Sequence, residues 1–156
     1  TVRPLIASDR PALAGILERT PHFAPDEVTV AVELIDDALR GDDASSYRAL
    51  VAVADGRPVG YVCFGRTPMT DHTFDLYWIV VDSAMHGRGL GRRILREAER
   101  RVLALGGRKM FVETSSREQY APTRGFYEAC GYALESRLLD YYDRGEDCLV
   151  YTRTLD

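Results

Sequence analysis

Val80-Val81-Asp82-Ser83-Ala84-Met85-His86-Gly87-Arg88-Gly89-Leu90-Gly91 decides how the rest of the chain is read: an apolar run stops, a short glycine-rich turn follows, and a helical pattern begins. The order is strand, loop, helix. Glycines at 87, 89 and 91 remove every other Cβ, so the backbone can turn tightly and its N–H groups can come close to an anion. Those donors have no helical partner at a helix start, and the macrodipole adds partial positive charge there. A phosphate is the expected guest.

Three nucleotide-type patterns compete for such a loop. The Walker pattern fails because no Lys-Ser or Lys-Thr follows the last glycine. The dinucleotide fingerprint wants a third glycine three residues after the second, and Arg92 or Ile94 stands there instead. Glu113 nevertheless ends the next apolar run where a ribose-binding acid can lie, so a nucleotide-binding oxidoreductase stays open as a rival. The remaining reading is a pyrophosphate loop with arginines, Arg88 inside it and Arg92 and Arg93 on the first helical turn.

The loop resembles the acetyl-CoA loop of the GCN5-related N-acetyltransferase (GNAT) family, Gln/Arg-x-x-Gly-x-Gly/Ala after the fourth strand, here His86-Gly87-Arg88-Gly89-Leu90-Gly91. Histidine stands where the family has Gln or Arg; its backbone N–H is kept, and the side-chain contribution changes. A second segment, Gly125-Phe126-Tyr127-Glu128-Ala129-Cys130-Gly131-Tyr132, is similar to the family's helix-then-strand Phe-Tyr-Glu-x-x-Gly-Phe/Tyr signature and comes in the right order.

The resemblance implies an α/β fold of α+β mixed-sheet type. Its N-terminal sheet is mostly antiparallel, a parallel pair splays apart, and helices cover both faces. It implies acetyl-CoA as co-substrate, no metal, and a small amine or amino acid as acceptor. Val80 and Val81 would offer backbone groups to the pantetheine arm, and His86, Gly87, Arg88, Gly89, Leu90, Gly91 and Arg92 would cradle the phosphates. Tyr127 would be the acid that protonates the departing thiolate, and Glu113 or Asp75 the base, alone or through water. A non-catalytic acyl-CoA sensor of the same fold and a protein or peptide acetyltransferase are the alternatives.

Composition bounds these readings. A chain of 156 residues fits one domain, 1–156, with 46% hydrophobic and 28% charged residues typical of a globular protein. A net charge of −4 argues against a nucleic-acid partner, which needs a concentrated positive surface. The longest strongly apolar run, residues 76–81, is far short of the roughly 20 residues of a membrane-spanning helix. Thr1-Val2-Arg3-Pro4 carries no secretory pattern, so cytoplasmic residence is the expectation, and a homodimer stays open. Cys63, Cys130 and Cys148 show no disulfide or metal grammar, and His22, His72 and His86 form no metal cluster with them by spacing. A Cys63 or Cys130 nucleophile is the remaining catalytic alternative, set against the commoner use of cysteine as a small core hydrophobe.

Along the chain, residues 2–6 read as a strand, and Ser8 caps a helix carrying Leu13, Ile16 and Leu17 that ends at Thr20-Pro21. A second helix runs from Pro25 to Gly41 with Val28, Val32, Ile35 and Leu39 on one stripe. The connector between them, Pro21-His22-Phe23-Ala24, holds an aromatic and a histidine that the local pattern does not require. Residues 47–54 and 59–64 form a hairpin through Asp55-Gly56. In 73–81, Phe74, Leu76, Trp78 and Val80 alternate against Asp75, Tyr77, Ile79 and Val81. The helix after the loop buries Ile94, Leu95, Ala98, Val102 and Leu105 and turns Arg93, Arg96, Glu97, Glu99 and Arg100 outward. Residues 108–113 follow as a parallel strand, then a helix over 122–130 and strands over 132–142 and 148–155.

Overall fold

The computed structural model describes residues 1–41 and 47–156. Its strands are β1 (Val2–Pro4), β2 (Arg48–Ala54), β3 (Arg57–Arg66), β4 (Thr73–Val81), β5 (Lys109–Ser115), β6 (Ala133–Asp143) and β7 (Glu146–Thr154). The α-helices are α1 (Arg10–Glu18), α2 (Pro25–Arg40), α3 (Leu90–Ala104) and α4 (Ala121–Ala129). Among the described residues the strands make one sheet in the order β1-β2-β3-β4-β5-β7-β6. Every neighbouring pair is antiparallel except β4 and β5. The helical crossover through α3 accounts for that parallel pair, because a chain re-entering the sheet after a helix arrives in its original direction.

Each sheet face has its own core. On one, Ile94, Leu95, Ala98 and Val102 of α3 pack with Phe64, Phe74 and Met110, and Tyr127 of α4 joins them. On the other, Leu13 and Leu17 of α1 and Ala31 and Ile35 of α2 cover Val51, Tyr61 and Val80. Asp55 and Gly56 turn the β2–β3 hairpin with φ of 50° and 74°, the positive pair that a tight primed turn requires. Gly41 closes α2 in the left-handed region, as its sequence position predicts. No helix among the described residues is long and apolar enough to cross a membrane.

Four sequence expectations change. Ser8 does not cap α1; it lies in a short 3-10 turn, and Asp9 does the local bonding, accepting from Ile6 N–H at 2.9 Å and from both arginine nitrogens of Arg3 at 2.7 and 2.8 Å. Glu99, assigned to the outer face of α3, is 4% exposed. Its carboxylate accepts from Arg96, from Arg153 at 2.6 Å and from the Tyr132 hydroxyl at 3.1 Å, so the charge is buried but fully engaged. Leu105, expected on the inner face, caps the helix and is 36% exposed.

The fourth change concerns β4. Its partner register passes from Phe64↔Leu76 to Cys63↔Trp78, so Tyr77 is an extra residue, a β-bulge. One inserted residue reverses the period-2 alternation. Phe74 and Leu76 therefore join the α3 core, whereas Trp78 and Val80 face the α1–α2 core and Ile79 and Val81 take over the α3 side. Pairing of β4 with β5 ends at the same place, at Leu76↔Val112. Beyond it β5 continues as Glu113, Thr114 and Ser115 paired only to β7, and β4 continues beside β3. The two strands part, and the gap between them opens toward the glycine loop.

Candidate active site

A cleft of about 1080 Å³ occupies that gap. Residues 77–81 of β4 form one wall and Glu113, Thr114 and Ser115 of β5 the other. The glycine loop lies at one end, the connector between α1 and α2 at the other.

The loop end combines positive-φ glycines, a helix start and an arginine. Gly87 and Gly89 have φ of 77° and 72°, conformations that side-chain-bearing residues rarely adopt, and a Cβ added at either would meet nothing within 4 Å. The space above them is therefore free for a ligand. Gly89 is the N-cap of α3, whose first helical bond joins Arg93 N–H to Gly89 O at 3.2 Å. The N–H groups of Leu90, Gly91 and Arg92 precede it and have no carbonyl within the helix to reach. Gly91 has a packing reason as well, since a Cβ there would lie 3.1 Å from the Phe126 ring. Arg92 lines both this cleft and a shallower depression of about 470 Å³ along α3, shared with Arg93, Arg96 and Arg100. Arg88 is exposed and does not line the cleft.

His86 has a role of its own: its Nε2 lies 2.9 Å from Val81 O, tying the loop to the end of β4. Asp82 N–H donates to Val59 O at 2.8 Å. Antiparallel alternation then turns the backbone groups of Val80 toward β3, and those of Ile79 and Val81 toward the gap. Of the two valines named from the sequence, Val81 thus has its N–H free of β3 and facing the gap, whereas Val80 does not; Ile79 shares that orientation.

Tyr127 is 4% exposed, packed against Phe126 and Tyr132 with ring centroids 5.4 and 5.9 Å away. It lines the cleft, and among the described residues its hydroxyl has no hydrogen-bond partner. Burial raises its pKa well above the ordinary phenol value, with Cys130 adding to the shift, so at neutral pH the group holds its proton. Glu113 lines the cleft, exposed, at the point where β5 leaves β4. Asp75 pairs with Phe111 in the closed part of the sheet and does not line the cleft.

The cysteines offer no thiolate. Cys63, Cys130 and Cys148 are at most 2% exposed, and burial pushes the Cys63 thiol up to about 12. No three His, Cys, Asp or Glu side chains among the described residues come together as metal ligands do.

Sequence reading missed most of the far end. Glu27, Trp78, Tyr120, Tyr142 and Glu146 line it together with His22 and Phe23 of the connector. Only His22 and Phe23 gave a signal, two ring side chains in a turn that needs neither. Trp78 carried the opposite signal, since strict alternation placed it on the other face. Glu27 read as an ordinary first-turn acid, and Tyr120, Tyr142 and Glu146 reach the cleft through tertiary packing alone.

A model of the acetyltransferase (GNAT) family matches residues 13–132. The structure superposes on the crystal structure of a GNAT-family protein from Desulfovibrio desulfuricans with a TM-score of 0.96 and 38% identity, covering 100% of this chain and 99% of that one. It is also similar in fold to an aminoglycoside 6′-N-acetyltransferase complexed with coenzyme A, with a TM-score of 0.79, 16% identity, and coverage of 100% and 97%. By sequence it is similar to the L-2,4-diaminobutyric acid acetyltransferase of Streptomyces avermitilis, 37% identical over 60 residues. That match spans 38% of this chain and 34% of the curated protein, about a third of its length.

Proposed function

The chain belongs to the acetyltransferase (GNAT) family, and from that membership we propose that residues 1–156 act as one domain that moves an acetyl group from acetyl-CoA to the primary amine of a small molecule. The observation that carries the proposal is one of position. The gap where β4 and β5 part opens onto the positive-φ glycine loop, and the unpartnered Tyr127 hydroxyl lies in the same cleft.

The open space above Gly87 and Gly89 fits a pyrophosphate, with Arg92 beside it supplying charge-assisted bonds. Backbone groups of Ile79 and Val81 suit an amide-bearing arm laid along the free edge of β4. The neutral amine nitrogen attacks the thioester carbonyl carbon, the C–S bond breaks, and its electron pair stays on sulfur. Tyr127 gives its proton to that sulfur as the charge develops. Glu113, in the cleft wall, takes the proton that the amine sheds, directly or through water. The products are an acetamide and free coenzyme A. No cysteine is exposed to carry the acetyl group between the two substrates, which supports direct attack with both bound.

The decisive experiment measures thiol release from acetyl-CoA against a panel of amines, alongside calorimetry with coenzyme A and with NAD. Binding of coenzyme A and amine-dependent thiol release are expected. Coenzyme A binding with no release across small amines and peptide N-termini would leave an acyl-CoA-binding module. Binding of NAD in its place would make the chain a nucleotide-binding protein of another kind.

A further inference from the structure

The two ends of the cleft differ in charge. At the loop end Arg92 is the lining cation. At the far end the lining carboxylates are Glu27, Glu113 and Glu146, and each has to be balanced against its partners.

Glu146 is engaged, accepting from the Ser115 hydroxyl at 2.6 Å and pairing with Arg117 at 3.0 Å. The cation Arg19 is engaged too, on Asp82 at 3.2 Å. Glu27 receives only the Ala24 N–H, at a long 3.4 Å. Glu113 has no hydrogen-bond or ion-pair partner among the described residues. The far end therefore holds two acids without a cation. His22 adds no charge there, because burial, outweighing the attraction of Glu27, holds its imidazole below the ordinary value and neutral.

The walls around Glu27 are aromatic and in contact with one another. The His22 ring lies 5.1 Å from Phe23 and 5.4 Å from Tyr120, and Phe23 lies 6.4 Å from Trp78. Trp78 is itself anchored, its Nε1–H donating to the Tyr61 hydroxyl at 2.6 Å. Tyr120 feels the charges of both Glu27 and Glu146, so the carboxylates and the rings share one corner of the cleft. Ring faces beside an unpaired carboxylate attract an alkylammonium by charge and by cation–π contact together. Tyr127, nine-tenths buried with its hydroxyl unpartnered and lining the same cavity, is a second sign that the cleft is shaped around a ligand.

We propose that the acceptor is a diamine: one primary amine is acetylated beside Glu113 and Tyr127, while a second cationic centre is held by Glu27 within the ring wall of His22, Phe23, Trp78 and Tyr120. The inference rests on the acyl-transfer reading and narrows it. An amino acid acceptor is the poorer fit, because its carboxylate would enter a negatively charged corner whose lining arginine is already paired. A monoamine leaves Glu27 without its counter-charge.

The test uses the whole chain with acetyl-CoA and three matched series: α,ω-diaminoalkanes, n-alkylamines of equal length, and ω-amino acids of equal length. The best diamine should exceed its monoamine by roughly tenfold or more in kcat/KM, the scale of one charge-assisted contact, and the amino acid should be the poorest. Glu27→Gln keeps the size of the side chain and removes its charge, so it should collapse the diamine-to-monoamine ratio toward one. Equal rates for diamine and monoamine, a preference for the amino acid, or a ratio that survives in Glu27→Gln would each overturn the proposal. Calorimetry of 1,4-diaminobutane and n-butylamine with the coenzyme A-loaded protein asks the same question without turnover, and equal affinities overturn it as well. Failure of coenzyme A to bind at all would instead defeat the acyl-transfer reading itself.

Discussion

Tyr127→Phe removes one oxygen atom from the cleft and leaves the ring that packs on Phe126 and Tyr132. If the hydroxyl protonates the leaving sulfur, kcat should fall by roughly 10²–10⁴-fold, the usual range for a positioned acid. Acetyl-CoA affinity and melting temperature should hardly move, because the bond strengthens only as charge builds on sulfur. A thioester with a more acidic thiol should recover part of the lost rate, and wild-type kcat on a step shown to be chemistry would return Tyr127 to a packing role. A different residue contributes stability that is lost in acid. The Arg3 guanidinium, bonding both oxygens of Asp9, holds that carboxyl below the ordinary value near 3.8, and the Ile6 N–H adds to the effect. A depressed carboxyl contributes stability that is complete above its unfolded pKa and lost as pH falls through the folded one. Asp9→Asn should therefore cost roughly 1.5–3 kcal/mol at neutral pH, and the gap to wild type in urea midpoints should close as pH drops below about 3.8. Tyr127 was legible in the sequence through its motif. Asp9 was not, since its partner Arg3 lies on another element and only the fold brings them together.

Glycine decides two element junctions for opposite reasons, which a pair of alanine substitutions separates. At Gly107, after α3, a Cβ would run into Val102 Cγ1 and fall 2.7 Å from Phe74 Cδ1. Gly107→Ala should destabilise by about 1–3 kcal/mol or more through overpacking, seen as a lower melting temperature, with coenzyme A still bound by the folded fraction. At Gly89 the space is open and the φ of 72° is the constraint. Gly89→Ala should cost about 1–2 kcal/mol of conformational strain and also weaken coenzyme A if, as proposed, the open space the methyl group enters holds the phosphate. Unchanged affinity in a folded Gly89→Ala protein would remove the loop from the site. Element order, the hairpin turn and the strand–loop–helix unit were all legible, because turn chemistry and apolar period are local. The bulge at Tyr77 was not. Its sequence, Leu76-Tyr77-Trp78, reads as continuous alternation, and the extra residue exists only relative to the register of β3. That hidden insertion is what carries Trp78 to the α1–α2 side and starts the gap. The glycine-loop part of the cleft lining was thus legible, and the part around Trp78 was not.

At the scale of the molecule, a net charge of −4 is arranged so that arginines gather along the start of α3 while unpaired acids remain at the other end of one cleft. Such a division is what the proposed ternary complex requires, with an anionic donor and a cationic acceptor each repelled from the other's end. The cysteines support the proposed direct attack with both substrates bound. An acetyl-enzyme route needs an exposed nucleophile, yet Cys63, Cys130 and Cys148 are at most 2% exposed, with burial raising all three thiols. Cys130 is the sharpest case because it lines the cleft, and there the neighbouring Arg96 and Arg92 oppose the effect of burial without overcoming it. A thiol raised in this way is too little ionised at neutral pH to attack a thioester. Initial rates with both substrates varied should therefore give intersecting reciprocal lines, not parallel ones. Protein incubated with acetyl-CoA and no amine should keep its intact mass, and Cys130→Ala should retain turnover if it retains its fold. Parallel lines together with a mass gain of one acetyl group, abolished in Cys130→Ala, would replace direct attack by a covalent relay and require the cleft to open around that thiol during the cycle.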